Sequence, residues 1–184
     1  SGFDWDHPDL DDNIWSNTDE IAGNGIDDDN NGYIDDIRGW DFVNNDNNPD
    51  ESSSSSHGTH VAGIIGAEID NGTGVAGTAG NVTIMPLRIG SGPTSTRYAG
   101  AFTYAADNGA HIANTSFSVD SRVGDPVYRA ALRYMYDTGV LHFNSAGNDD
   151  ELNPLRQNMH ESLFVASTNS VDGRSGFTNY GIGI

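Results

Sequence analysis

Two stretches hold residue types suited to chemistry on a carbonyl group. One is His57-Gly58-Thr59-His60-Val61-Ala62-Gly63, and the other is Ser145-Ala146-Gly147-Asn148. An imidazole takes up and returns a proton near neutral pH, so His57 is a candidate general base. About ninety residues later, the Asn148 amide is a candidate hydrogen-bond donor to a developing oxyanion. Zinc chemistry at His57 and His60 is disfavoured by spacing. Zinc-binding helices place two His four residues apart with a Glu between them, and here the two are three apart. Neither Ser56 nor Ser145 sits in a Gly-x-Ser-x-Gly elbow, so neither reads as a positioned nucleophile.

The elements that must hold these groups alternate along the chain. His57 to Ala67 reads as a buried helix of small and apolar residues, and Val82 to Ile89 as a buried strand. Arg97 to Asn108 reads as an amphipathic helix closed by Gly109, followed by a strand from His111 to Ser116. Asp125 is placed to cap the next helix, with Pro126 at its first position and Gly139 just past its end. Val140 to Ser145 and Leu163 to Ser167 complete the strands, with a shorter one expected in Ile37 to Val43. Strands separated by helices imply an α/β fold with a parallel sheet covered on both faces. In such sheets the site gathers at the carboxyl ends of the strands, where Ser116 and Asn148 fall.

Charge points to cations. The chain has 184 residues, 27 acids against 8 Lys+Arg, and a formal net charge of −19. Sixteen of the 27 acids lie between Asp4 and Glu51, where Arg38 is the only arginine or lysine. Such a field disfavours nucleic acid and anionic membranes. Within it, Asp27-Asp28-Asp29-Asn30-Asn31-Gly32-Tyr33-Ile34-Asp35-Asp36 follows an Asp-x-Asp-x-Asn-Gly pattern. Oxygens at alternate positions converge on one Ca²⁺, and Gly allows the sharp turn. Asp27, Asp29 and Asn31 are the side-chain ligands expected, with the Tyr33 carbonyl and Asp35, directly or through water. Position twelve is Arg38 rather than a bidentate Glu, which argues against a helix-loop-helix sensor and leaves Asp36 as the replacement ligand. The chain has no cysteine, so no disulfide is available to it.

Together these stretches resemble the subtilases, the subtilisin-like serine peptidases. The opening Ser1 to Leu10, with His7-Pro8-Asp9-Leu10, is similar to the family segment beginning Asp-Ser/Thr-Gly, and Phe177 to Gly181 to its Ser-Asn-Tyr-Gly stretch. The resemblance implies an incomplete subtilisin-like domain over 1–184, with the Asp/Asn-rich insertion at about 11–56. It places the orienting Asp one residue before Ser1 and the nucleophilic Ser beyond Ile184, so the isolated chain is expected to be inactive. It implies His57 as the base and Asn148 as the oxyanion donor. Substrate would bind along Ser116, Phe117 and Ser118 and against Ser145, Ala146 and Gly147. Ser118 replaces the usual Gly, which would narrow the pocket or shift the substrate, and Phe117 replaces the common Leu. Asp149 and Asp150, after the oxyanion Asn, would favour basic substrate side chains.

The resemblance also implies a second Ca²⁺ site in the loop after the His57 helix, formed by Asp9, Ile69, Asn71, Thr73 and Val75. Asp9 and Asn71 would bind there through side chains and the others through carbonyls. The expected protein is a secreted, Ca²⁺-stabilised and monomeric serine endopeptidase acting on extended peptide or protein through an acyl-enzyme. A catalytically dead Ca²⁺-binding scaffold is the alternative.

Overall fold

Asp, Asn and Gly dominate residues 11–50, and the backbone there follows their local preferences rather than a helix or strand period. Asn30, Asp35 and Asn45 adopt left-handed φ values of 62°, 55° and 59°, a conformation these short polar side chains tolerate better than most. The computed structural model describes residues 2–50 and 56–184. They fall into two units, Ser1–Arg97 and Tyr98–Ile184. Most of the serine run expected as a loop, residues 52–55, lies outside the described residues.

The first unit has little regular structure. Strand β1 (Trp40–Asp41) pairs in parallel with β2 (Leu87–Arg88), and helix α1 spans His57–Gly66. The expected strand over Val82 to Ile89 reduces to β2 and one parallel bridge between Ile84 and Ile14. A ladder can run only as far as its partner stays extended, and β1 ends at once because Asp41 turns the chain. The Asp41 N–H bonds to the Asp46 carbonyl, and its carboxylate accepts from the Val43 N–H at 2.6 Å.

Helix α1 is also less buried than its composition suggests. Ala62 and Gly66 are buried, but Ile64 is 55% exposed. Its small residues serve close approach instead. A Cβ on Gly58 would lie 2.9 Å from the carbonyl carbon of Gly2, and one on Gly66 2.9 Å from Val82 Cγ2. Phe3, Leu10 and Ala62 form the core here, with Trp5, Ile14 and Ile84 packed against it.

The second unit is built by packing. Helix α2 (Ser95–Asp107) buries Tyr98, Ala101, Phe102, Tyr104 and Ala105. Helix α3 (Pro126–Asp137) buries Tyr128, Ala131, Leu132 and Met135 on one stripe, as an amphipathic helix should. Its start matches expectation: Asp125 accepts hydrogen bonds from the N–H groups of Val127 at 3.0 Å and Tyr128 at 3.2 Å, with Pro126 in the first turn. Gly139 follows its end with φ 91°.

Strands β3 (Ile112–Thr115), β4 (Leu141–Ser145) and β5 (Ser162–Val165) form a parallel sheet in that order. Ile112 pairs with Leu141, and His142 with Ser162. Parallel strands joined through helices are the α/β arrangement expected from the sequence. On one face of this sheet His142, Asn144 and Phe164 are buried, and Phe102 packs on the His142 ring at 5.3 Å between centroids. The other face carries Ile112, Leu141, Leu163 and Val165, each more than half exposed.

Candidate active site and cation loops

His57 is the first residue of α1 and is exposed. The segment that opens the chain docks against this turn. The Asp4 N–H bonds to Thr59 Oγ1 at 3.0 Å, and the Gly2 backbone lies against Gly58. Burial, then a hydrogen bond that the protonated Asp4 carboxyl donates to Asp6, raises Asp4 above its ordinary value.

Asn148 lies in the second unit, exposed on the bend after β4. Its backbone is held by residues that sequence reading did not single out. Asn179 is fully buried, and its Oδ1 accepts from the Asp149 N–H at 2.9 Å and the Glu151 N–H at 3.0 Å. The Asn179 N–H in turn bonds to the Gly147 carbonyl at 3.0 Å. Gly147 has φ 103°, and a Cβ there would sit 2.5 Å from Asn179 Nδ2 and 2.8 Å from Arg156 Nη2. Only glycine fits so crowded a left-handed position.

The expected substrate edge, Ser116 to Ser118, runs on from β3 in the same unit. Asn144 on β4 reaches across to it, donating from Nδ2 to the Thr115 carbonyl at 2.8 Å and the Phe117 carbonyl at 3.1 Å. Ser145 Oγ also donates to the Phe117 carbonyl, at 3.4 Å. The Phe117 ring packs on Tyr98, 5.3 Å between centroids. Thus Ser116, Phe117 and Ser118 on one side and Ser145, Ala146 and Gly147 on the other are brought together within one unit. Asp150 is paired with Arg174, so its charge is partly offset, while Asp149 is exposed.

In the first unit the acidic loop closes on itself. Asp27 accepts from the N–H groups of Asn31 at 3.0 Å and Gly32 at 2.9 Å, and Asp29 Oδ1 accepts from Asn31 N–H at 3.0 Å. Asn31 Nδ2 donates to Asp29 and Asp36, each at 3.0 Å, and Asp36 is fully buried. The Tyr33 N–H bonds to Asn31 Oδ1 at 2.8 Å. Asp35 points elsewhere: its carboxylate accepts from the N–H groups of Asn24 and Gly25 at 3.1 and 3.0 Å.

The acid that joins this loop is Glu20, 8% exposed, which lies before the motif and which the pattern alone did not reveal. Its Oε1 accepts from the Asp28 N–H at 2.6 Å, and its Oε2 from the Asp35 N–H at 3.0 Å. Oxygens of Glu20, Asp27 and Asp29 lie within 4.8 Å of one another, which fits a hard divalent cation. The only available signal was a Glu seven residues upstream of Asp27 in an Asp/Asn-rich stretch.

The second expected cation loop also converges. Asp9, 4% exposed, accepts from Asn71 Nδ2 and from the Val75 N–H, both at 2.9 Å. The Val75 hydrogen bond, then that of Asn71, lowers the Asp9 carboxyl below its ordinary value. Asn71 Oδ1 accepts from the Thr73 N–H at 2.9 Å. A cleft of about 290 Å³ is lined by Asn71, Thr73, Val75, Glu68 and Asp70, among others. Ile69, at the start of this loop, is 45% exposed.

Comparison with known proteins accounts for these features together. The model of the subtilase family, peptidase S8, matches residues 1–184. Subtilisin-like protease 1 of Plasmodium falciparum is 41% identical over 152 residues, covering 80% of this chain and 22% of that protein. Thermitase of Thermoactinomyces vulgaris is 39% identical over 150 residues, covering 79% of this chain and 52% of that protein. The chain therefore spans only a fifth to a half of these relatives. Among solved structures, a protease from Pseudoalteromonas arctica superposes with a TM-score of 0.71 at 28% identity, covering 100% of this chain and 59% of that one. The exposed helix-start histidine, the asparagine turn after a parallel strand and the match along its whole length lead to one conclusion: this chain belongs to the subtilase family.

Proposed function

We propose that this chain is part of a Ca²⁺-stabilised serine endopeptidase that hydrolyses extended peptide or protein through an acyl-enzyme. The observation that carries this reading is the Asn148 turn. Asn179 and the glycine-only backbone at Gly147 hold it rigid, while the Asn148 side chain is left exposed. An oxyanion donor must be positioned in advance and must not be consumed by internal hydrogen bonds. A turn asparagine serving structure alone would satisfy its own amide locally.

In this reading substrate lies extended along Ser116 to Ser118, gaining main-chain hydrogen bonds that tolerate many sequences. His57 takes the proton of a serine supplied by the family's following segment and returns it to the leaving amine. Asn148 donates to the oxygen that becomes negative. The docking of Gly2 against Gly58, which holds the opening segment beside the turn bearing His57, supports an orienting carboxylate supplied by the family's preceding residue.

The residues present fit Ca²⁺ at two places. Glu20, Asp27, Asp29, Asn31 and Asp36 would hold it in one loop, and Asp9 and Asn71 in the other, with the Ile69, Thr73 and Val75 carbonyls. Bound there, the cation offsets converging carboxylates and rigidifies the loops without taking part in bond making. Secretion and a monomeric state complete the proposal. Among the described residues no helix is long and apolar enough to cross a membrane.

The test is casein hydrolysis by the complete gene product, with and without chelator, beside its His57→Ala variant. Activity that His57→Ala abolishes supports the peptidase. An intact, Ca²⁺-binding product with no hydrolysis would make the inactive scaffold the better account.

A further inference from the structure

We propose that Arg156 is a positioning residue, one that sets the gap between the substrate edge and the oxyanion turn and so tunes substrate fit; this rests on the peptidase reading. Arg156 lies on a short 3-10 helix (Leu155–Asn158) and is the one arginine fully buried among the described residues. A buried guanidinium is costly unless its fork is fully engaged, and here its contacts reach both walls. Nη1 donates to the Ser145 carbonyl at 2.7 Å, at the end of β4 on the wall leading to Asn148. Nη2 donates to Ser118 Oγ at 3.0 Å, on the opposite wall. Nε donates to Asp120 Oδ1 at 3.0 Å, and Nη2 pairs with the second Asp120 oxygen.

Asp120 holds the guanidinium from below and is itself tuned by it. Burial pushes its carboxyl up, but the hydrogen bonds and charge of Arg156 outweigh burial and leave it below the ordinary value. The same plane of atoms abuts Gly147, where a Cβ would fall 3.0 Å from Arg156 Cζ. One side chain therefore spaces Ser118, Ser145 and Gly147.

This geometry also explains Ser118. Its hydroxyl accepts from Arg156 and donates to Asp120 at 3.3 Å, so the side chain is tied down beside the edge rather than left to lean across the substrate path. Ser118 and Arg156 work as a pair, and a lysine at position 156 cannot replace the fork, because an ammonium cannot hold three partners in one plane.

The test uses the complete gene product, normalised to folded active sites with a serine-directed titrant. Arg156→Lys should lower kcat/KM by about 10- to 100-fold, since small misplacement of reacting groups costs that much. The loss should fall on both kcat, through the turn, and KM, through the edge. Ser118→Gly is the second variant, because its side chain is exposed and its removal leaves Arg156 bonded to Asp120 and the Ser145 carbonyl. It should raise KM several-fold with kcat nearly unchanged, and the increase should vanish in the Arg156→Lys background. Lower thermal stability in both variants with wild-type kcat and KM per titrated site would overturn the proposal and leave Arg156 a packing residue. Should Arg156→Lys not fold, an unchanged KM in Ser118→Gly overturns it alone. A wild-type product that cleaves no peptide would instead overturn the peptidase reading, and the positioning role with it.

Discussion

The two units reach order by opposite means. Apolar packing is thin in residues 18–36 of the first unit: Ile21, Ile26 and Ile34 are about half exposed or more, and much of the backbone is held by carboxylates and carboxamides accepting from N–H groups. In the second unit Tyr104, Tyr128, Leu132 and Met135 are almost fully buried, and α3 lies on a parallel sheet. Its buried polar groups are neutral or paired, as with His142 between Thr115 and Ser162 and Arg156 on Asp120. The difference teaches where each unit is vulnerable. Converging carboxylates repel, so the first unit depends on whatever offsets their charge. The second depends on apolar area and on keeping buried groups in the right protonation state.

Catalysis gives the largest test of the roles proposed for residues of each unit. His57→Ala, in the first unit, should lower kcat by about 10⁶-fold, the scale known for the base of a subtilisin triad. Asn148→Ala, in the second, should cost about 10²–10³-fold in kcat with KM little changed, because the donor acts only on the oxyanion. Steady-state kinetics on one peptide separates them. Equal losses would contradict the assignment of base and donor.

Chelation should break the comparison next. Removing Ca²⁺ present at about 100 times its dissociation constant would withdraw about 2.7 kcal/mol of stabilisation. Limited proteolysis read by mass spectrometry should then show the first cuts in 18–36 and 69–76, with the 98–184 region protected. First cuts in the second unit would refute this. Glu20→Gln should shift the chelator sensitivity of the first loop alone.

Acid should probe the second unit in a different window. Burial lowers the His142 pKa from 6.5 to about 4. The unfolded chain therefore takes up a proton between those values while the folded one does not, and stability falls as pH drops through that range. The loss is on the order of 3 kcal/mol, at 1.36 kcal/mol per unit. His142→Gln should flatten denaturation midpoints between pH 6.5 and 4. Asp9 works in a lower window. Its carboxyl is depressed below 3.8, so its contribution stays above that pH and fades beneath it. The smallest effect expected is from Asp125→Ala, about 1 kcal/mol from the lost N-cap of α3, read from a denaturant midpoint.

Local signals were legible and long-range ones were not. Asp125, Pro126 and Gly139 bounded α3 correctly because capping is settled within a few residues. The turns of the Asp27 to Asp36 loop are set locally in the same way, but Asp35 turns to Asn24 and Gly25 and Glu20 joins the loop, and nothing local distinguishes Glu20 from its acidic neighbours. The expected strand at Val82 to Ile89 was too long because apolar content does not say how far a partner strand remains extended. Arg156 passed unnoticed, as its partners Ser118 and Asp120 lie more than thirty residues away.

Residue type and spacing alone thus set out candidates: a histidine at a helix start for a base, an asparagine on a glycine turn after a strand for an amide donor, and acidic loops for a hard cation. Those depend on residue type and spacing over one or two turns of chain. Only the tertiary structure decided which groups hold them in place. Asn179 secures the turn, Arg156 spaces the walls, Glu20 joins the acidic loop, and Asp9 is bound to a loop more than sixty residues away. Each of those is a contact between distant segments. Its energy exists only once folding has brought the two sides together.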